Sequence, residues 1–185
     1  MRSTASLGGG RAPLPLGKNM NLTIITKAPL LPSSVVERLR VAISKKIAPA
    51  SMTIEFISYS DASAFPTAHQ NAAARNPALF IHDDKLLIAI NAAKFPFTDE
   101  RRATAILAHE IGHAFRFHQK AAPDDEEIWA DFYACEWGFA EDLIYDRSSS
   151  RSACYADILR SYKDYDDFHD RMKRYNLQKV AGIVK

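Results

Sequence analysis

The pentapeptide from His109 to His113, with the sequence HEIGH, contains the residues of this chain that are best suited to chemistry. Its two histidines are four residues apart, and side chains at this spacing project from the same face of a helix. Both imidazoles can therefore reach one metal ion. Glu110 lies between them, where its carboxylate can contact a water on that ion without itself being a ligand. The alternative interpretation is an amphipathic helix that carries two surface histidines.

The surrounding residues predict the helix that these side chains need. Apolar residues recur at helical spacing over Ala103–His118 and give the segment one apolar face. We predict Thr98 as the N-cap, since Asp99 and Glu100 then fall in the first turn, where acidic side chains favour the positive end of the helix dipole. Gly112 costs roughly 1 kcal/mol relative to alanine inside a helix. Such a glycine is expected if another segment or the metal site must approach closely.

A catalytic zinc site needs three protein ligands and one open position for water. The helix predicted over Asp124–Tyr145 supplies two candidates, Glu127 and Asp131, which are four residues apart and share a face. One carboxylate can coordinate the metal while the other accepts the free N–H of a ligand histidine, which fixes the tautomer of that imidazole. We predict that Glu127 is the ligand and that Asp131 orients a histidine, and we keep Asp131 as the alternative ligand.

The position of Glu127 in its helix also allows a purely structural role. If Asp124 is the N-cap, Glu127 is the third helical residue and its carboxylate turns back to close a capping box. If Pro123 is instead the first helical residue, Glu127 lies beyond the cap and is free to face inward. Four further histidines are weaker metal candidates because they lie near the far helix face, on loop or turn signals, or far along the chain: His69, His82, His118 and His169.

The length and composition indicate one globular domain. The chain has 185 residues, of which 47% are hydrophobic, which is enough for a proper core. We assign this domain to residues 21–177, with residues 178–185 as a C-terminal tail. Residues 1–20 contain three consecutive glycines, two prolines and no acidic residue, so we expect a disordered leader or an expression remnant there.

Charge and cysteine content exclude several classes of protein. The net charge of +2 is too small for a nucleic-acid surface or a polybasic membrane anchor, and no apolar run reaches the length of a membrane span. Cys135 and Cys154 form neither a disulfide framework nor a cysteine zinc site, so we expect both to be small buried hydrophobic residues. A reducing, cytoplasmic location is the expected setting.

The order of the predicted elements favours an α+β fold, with a small mixed or antiparallel sheet packed on helices. Residues 61–77 are polar and bounded by prolines, which indicates a long loop or a broken short helix. The predicted strands are Asn21–Thr26, Met52–Tyr59, and a hairpin of Ala78–His82 and Lys85–Asn91. Besides the helices already named, we predict helices over Ser34–Ile47 and Ala153–Tyr175.

The sequence HEIGH at residues 109–113, followed by EIWAD at residues 127–131, resembles the gluzincin metallopeptidases. In that family an H-E-x-x-H helix precedes an E-x-x-A-D or E-x-x-A-N helix. The compact size, the hairpin before the first motif and the short gap between the motifs are most similar to the ImmA/IrrE-type peptidases. One departure is Trp137-Gly138, which interrupts the second helix where those proteins continue it.

The resemblance implies a zincin-like fold and one Zn²⁺ ion bound by His109, His113 and Glu127. It further implies that Glu110 is the catalytic base and that Asp131 orients a ligand histidine. The strand Leu86–Asn91 would then form the edge of the cleft and pair with an extended substrate. The alternative, which is compatible with that role, is a buried core strand.

The sequence therefore predicts a zinc metalloendopeptidase that hydrolyses peptide bonds. Its expected partner is a protein or peptide substrate, such as one specific regulatory protein, with no nucleic acid and no membrane. The alternative is a non-catalytic, zinc-containing module of the same fold that binds a protein without cutting it. An intact Glu110 argues against this alternative, because a structural zinc site has no need of a base beside a water.

Overall fold

Four strands and seven helices make up the described part of the chain. The computed structural model describes residues 22–46, 52–82, 85–118, 126–147 and 153–182. The strands are β1 (Leu22–Lys27), β2 (Met52–Tyr59), β3 (Ala78–His82) and β4 (Leu86–Asn91). The helices are α1 (Ser33–Ser44), α2 (Thr67–Arg75), α3 (Glu100–His118), α4 (Glu126–Glu136), α5 (Ala140–Arg147), α6 (Ala153–Ser161) and α7 (Tyr165–Val180), with a 3₁₀ turn over Ala62–Ala64.

The strands form one mixed sheet in the order β1-β2-β4-β3. Both β1 with β2 and β2 with β4 pair in parallel, whereas β3 and β4 form the predicted antiparallel hairpin. The prediction of a small mixed sheet packed on helices is thus confirmed. The prediction that β4 is the cleft edge is wrong. Because β4 lies between β2 and β3, both of its sides are paired, and the edge is β3 instead.

The two faces of the sheet are covered unequally. On one face, alternate residues of the strands pack against apolar residues of α1 and α3 in the main core, and the most buried of these strand residues are Ile54, Phe56, Ile88 and Ile90. The other face carries a smaller cluster, in which Tyr59 and Ala89 contact Ala73 of α2. Residues 61–77 therefore contain the broken short helix that the sequence allowed. The two helices on the main face include α3, so the core directly supports the HEIGH segment.

The first turn of α3 begins one residue later than predicted. Asp99, not Thr98, is the N-cap, since its Oδ1 accepts from the backbone N–H of Arg102 at 3.1 Å and its carbonyl accepts from Ala103 N at 2.9 Å. Glu100 is the acidic residue that remains in the first turn. An aspartate cap adds a negative charge at the positive end of the helix dipole, which a threonine cannot supply.

The helix predicted over Asp124–Tyr145 is two helices in the described residues. Gly138 adopts φ +95°, and two backbone bonds close the end of α4: Phe139 N to Ala134 O at 2.9 Å and Gly138 N to Cys135 O at 2.8 Å. This is a Schellman motif, which favours glycine at the left-handed position. The predicted start at Asp124, and with it the capping-box alternative for Glu127, lies outside the described residues.

The helix predicted over Ala153–Tyr175 is also interrupted, at Tyr162–Asp164 between α6 and α7. The side chain of Asp164 caps α7 by accepting from the backbone N–H of Asp167 at 2.9 Å. The Asp167 carboxylate in turn accepts from the backbone N–H of Lys163 at 3.0 Å.

No described helix combines the length and the apolar character that a bilayer crossing requires. Cys135 is buried as predicted, whereas the side chain of Cys154 lies outside the described residues.

Gly112 lets α4 approach α3 closely. A Cβ built at this position would lie 2.6 Å from the carbonyl oxygen of Ala130 and 2.7 Å from its Cα, both of them backbone atoms that cannot move independently. Residue 112 lies one position before His113, and residue 130 lies one position before Asp131. The missing side chain therefore brings the two motifs within reach of each other.

Gly112→Ala is expected to destabilise the fold although alanine is the better helix former. The gain in helix propensity is about 1 kcal/mol, but separating α3 from α4 should cost roughly 1–3 kcal/mol as overpacking and should also weaken metal binding. Urea unfolding of the metal-free protein and a zinc titration measure the two effects. The exposed His118→Ala on the same helix is the control, and an alanine variant as stable and as tight-binding as the parent would refute the close-approach argument.

Candidate metal centre

Helix α3 presents the two motif histidines one turn apart toward the same point. The Nε2 atoms of His109 and His113 are 3.1 Å apart. His109 is buried and His113 is half-buried. Two imidazole nitrogens this close, pointing at a shared space, could both ligate one metal ion.

Helix α4 supplies the third corner. Glu127 Oε2 lies 3.1 Å from His109 Nε2, and Glu127 Oε1 lies 3.5 Å from His113 Nε2. One donor atom from each of the three residues lies within 4.8 Å of the other two. The side chain of Glu127 is 80% exposed, so the cluster opens toward solvent on the glutamate side.

The spacing of the two histidines fits a tetrahedral ion. Ligand atoms at 2.0–2.1 Å from zinc in tetrahedral geometry stand roughly 3.3 Å from one another, and the two Nε2 atoms are 3.1 Å apart. The two oxygens of Glu127 each lie near one imidazole, Oε2 at 3.1 Å from His109 and Oε1 at 3.5 Å from His113. Two imidazoles and one carboxylate are also the donor types that zinc accepts at catalytic sites, where the fourth position remains free. One donor atom of Glu127 lies within 4.8 Å of both imidazole donors, so ligation through that oxygen would need a movement of this exposed side chain.

Asp131 contacts the other nitrogen of His109. Its Oδ1 lies 2.8 Å from His109 Nδ1, and its side chain is 4% exposed. A carboxylate there accepts the Nδ1–H, so that Nε2 is the nitrogen directed at the cluster and can ligate an ion once its own proton is lost. The structure thus puts Glu127 on the metal side of the imidazole and Asp131 behind it, which favours Glu127 over Asp131 as the third ligand.

Arg147 is a residue of this site that sequence reasoning missed. It is the last residue of α5, and its Nη1 donates to Asp131 Oδ2. Its Nη2 lies 3.2 Å from His109 Nδ1. An arginine 16 residues beyond Asp131 belongs to no motif, and the predicted continuous helix would have carried it away from the site. The break at Gly138 lets the chain turn back, so that α5 packs against α3 and brings Arg147 to the site.

The charges of the cluster are strongly coupled before any metal binds. Burial disfavours the charged form of His109, but hydrogen bonds to Asp131 and Glu127 outweigh it and raise the pKa of His109 to about 9. Burial and the neighbouring His109 both lower the pKa of His113, to about 4. Burial raises the pKa of Asp131, but the Arg147 guanidinium and His109 together hold it well below its usual range.

We predict that zinc uptake at pH 6 releases about one proton per site, since the metal must displace the proton from His109 whereas His113 is already neutral. The sign follows from the pKa values: His109, at about 9, is protonated at pH 6, and His113, at about 4, is not. Calorimetric titration in buffers of different ionisation enthalpy counts the protons. A release near zero would show that His109 is neutral in the metal-free protein.

Glu110 lies in the same cleft but points to the sheet. Its Oε2 accepts from the backbone N–H of Phe80 at 2.7 Å, so β3 holds the carboxylate beside the cluster. Burial raises the pKa of Glu110 above its usual range. The glutamate is not one of the three clustered donors, which leaves it available for proton transfer.

The cluster forms the floor of a cleft of about 340 Å³, within the range of roughly 300–1,000 Å³ typical of ligand sites. The cleft runs between α3 and the edge strand β3. Asn91 N donates to Pro77 O at 2.9 Å, so backbone groups of Ala78, Phe80 and His82 point away from β4 in the alternating antiparallel ladder. The cleft is lined by residues 76–80 and by the side chains of His109, Glu110, His113, Glu127, Asp146 and Arg147, among others.

The weaker histidine candidates lie elsewhere in the described residues. His69 is on α2 rather than on a loop, His82 ends β3, His118 ends α3 and His169 is on α7, and none of them belongs to the described cluster.

No family model, no curated protein and no solved structure matches this chain.

Proposed function

We propose that this protein is a zinc-dependent peptide hydrolase with a zincin-like arrangement of helix, cleft and edge strand. His109, His113 and Glu127 would hold the ion, Asp131 would orient His109, and Glu110 would be the general base. The observation that carries the proposal is the convergence of two imidazoles and one carboxylate at 3.1–3.5 Å, with a further carboxylate in the same cleft. A purely structural site would close all four positions with protein ligands, whereas the described residues place three donors in this cluster.

The edge strand supports a polypeptide substrate. The outward backbone groups of β3 border the cleft, and an extended peptide can add to such an edge through main-chain hydrogen bonds. One side of β3 is already paired with β4, so a peptide could pair only with its other side, where it would run directly over Glu110 and the histidines. Main-chain pairing is independent of sequence, which suits an enzyme that must place a peptide bond rather than recognise one small molecule.

The chemistry follows from the positions of the side chains. A divalent ion held by the three donors supplies Lewis acidity, which polarises a carbonyl and lowers the pKa of water to about 7. Glu110 would take the proton of the attacking water and later pass it to the leaving amide nitrogen. The N–H of Phe80 binds Oε2 of Glu110 at 2.7 Å and limits rotation of a carboxylate that lines the cleft.

Metal depletion tests this proposal. Protein stripped with a chelator should cleave neither unfolded casein nor a mixture of peptides, and added Zn²⁺ should restore cleavage, with the new termini identified by mass spectrometry. Peptide bonds cut equally well without metal would contradict the proposal. Zinc bound at one per chain with no cleavage of any peptide in the mixture would favour a module that binds proteins without cutting them.

A further inference from the structure

We infer that Arg147 is a positioning residue of the metal centre, acting on the ligand His109 through Asp131. The inference rests on the metal site of the proposed function, although not on its hydrolytic activity. No motif in the sequence singles out this arginine, and the structure assigns it a place through two contacts, to Asp131 Oδ2 and beside His109 Nδ1.

The two oxygens of the Asp131 carboxylate bind different residues. Oδ1 serves His109 at 2.8 Å, and Oδ2 accepts from Arg147 Nη1. A carboxylate that is bonded at both oxygens cannot rotate about its Cβ–Cγ bond without losing one of the two bonds. The guanidinium therefore fixes the plane of the carboxylate, and the carboxylate fixes the plane of the imidazole. The imidazole in turn directs Nε2 at His113 and Glu127.

Because Asp131 and Arg147 are buried, losing one contact between them should disturb the geometry at His109. The side chain of Asp131 is 4% exposed and that of Arg147 is 15% exposed, so water competes little for either group. A buried carboxylate that loses a cationic partner must find a new arrangement or bind a proton, because isolated charge is costly in such surroundings. Either response disturbs the hydrogen bond to His109, and with it the geometry of the ligand.

The fork of the guanidinium matters as well as its charge. Nη1 of Arg147 donates to Asp131 Oδ2, whereas Nη2 lies 3.2 Å from His109 Nδ1 without a hydrogen bond to it, because Nδ1 donates its own proton to Asp131 Oδ1. A lysine ammonium can provide the charge and one hydrogen bond, but it is a compact point charge that does not fix a plane. Lysine at position 147 should therefore restore part of the metal affinity and only part of the geometry.

Arg102 provides a matched comparison. Its Nε lies 3.1 Å from Asp146 Oδ1, so this pair also joins α3 to α5, one residue away from Arg147. The Arg102 side chain is 50% exposed, and its acidic partner Asp146 is not one of the three clustered donors. Loss of Arg102 removes a cross-link between the same helices without touching Asp131.

The experiment measures zinc affinity by chelator competition, together with the visible spectrum of the Co²⁺-substituted protein. The five variants are Arg147→Met, Arg147→Lys, Arg102→Met, Asp131→Asn and the double variant of Arg147→Met with Asp131→Asn. We expect Arg147→Met to weaken zinc binding about 10- to 100-fold, as for other residues that orient metal ligands, and to change the Co²⁺ bands. Arg147→Lys should lie between Arg147→Met and the parent, and Arg102→Met should match the parent. Combining Arg147→Met with Asp131→Asn should add little to Asp131→Asn alone.

Unchanged zinc affinity and an unchanged Co²⁺ spectrum in Arg147→Met would overturn the inference, as would an equal loss in Arg102→Met. If Arg147→Met does not fold, Arg147→Lys decides: a parental affinity and spectrum would refute the role of the fork, and weaker binding in a folded protein would support it. Hydrolysis is measured separately. A protein that binds zinc in this way but cuts no peptide would refute the proposed function and leave the role of Arg147 intact.

Discussion

Glu110→Gln is expected to reduce peptide hydrolysis by about 10²- to 10⁴-fold, the usual contribution of a general acid–base residue. Glutamine has nearly the same shape and can still accept the Phe80 N–H, which is 2.7 Å from Oε2 in the parent. It cannot take a proton from water. Since Glu110 is not among the three clustered donors, zinc content should stay at about one ion per chain.

The control for this substitution is Glu126→Gln, which converts another carboxylate of the same cleft to an amide. It should leave hydrolysis within about twofold of the parent, because exposed substitutions away from the reacting atoms have small effects. Hydrolysis and metal content are measured on the same preparations. Activity that persists in Glu110→Gln would remove the proposed base, and a loss of zinc in that variant would make Glu110 a ligand instead.

Glu127→Ala should weaken zinc binding more than Asp131→Asn does. The first variant removes a donor atom that lies 3.1 Å from His109 Nε2, and we expect a loss beyond the roughly 10- to 100-fold typical of residues that only orient a ligand. The second variant keeps all three donors and changes only the partner of His109 Nδ1.

The free energy of unfolding of the metal-free protein should fall more in Asp131→Asn than in Glu127→Ala. Glu127 is 80% exposed, so its removal should hardly change unfolding of the metal-free protein, whereas Asp131 is buried against Arg147 and its neutralisation should destabilise the fold. Zinc affinity is measured by chelator competition and stability by urea unfolding, on the parent, Glu127→Ala and Asp131→Asn, with Glu126→Ala as the control. Equal metal loss in the two variants, or loss only at Asp131, would reassign the third ligand.

The central helix and its histidines could be predicted from the sequence because their information is local. A spacing of four residues places both imidazoles on one face whatever the rest of the fold does. Gly112 was an exception to helix propensity, and the contact with Ala130 gives the reason. A residue that breaks a local preference at such a position is a signal of close packing.

Other parts of the fold could have been predicted from signals that were misjudged. The nearly continuous apolar run of Leu86–Asn91 is typical of a strand buried on both faces, and such a strand occupies the interior of a sheet rather than its edge. Gly138 and the pair Asp164 and Asp167 likewise mark a helix end and a helix start. Apolar residues continue at helical spacing through Tyr162 and Tyr165, which favours one helix there, and the interruption at Trp137-Gly138 does not by itself show that a separate helix follows.

The position of Arg147 could not be predicted. Its contact with Asp131 depends on the angle at which the chain turns after Gly138, and that angle is set by packing of α5 on α3. Local sequence does not specify such an angle. The same holds for the hydrogen bond between Phe80 N and Glu110, which joins a strand edge to a helix 30 residues later.

The most direct test of the central claim is a crystal structure of the zinc-loaded protein, with anomalous data collected on both sides of the zinc absorption edge. We predict one anomalous peak per chain, bonded to the Nε2 atoms of His109 and His113 and to a carboxylate oxygen of Glu127, with one further position open to the cleft. No peak at these residues, or a peak held by a different set of side chains, would contradict the account.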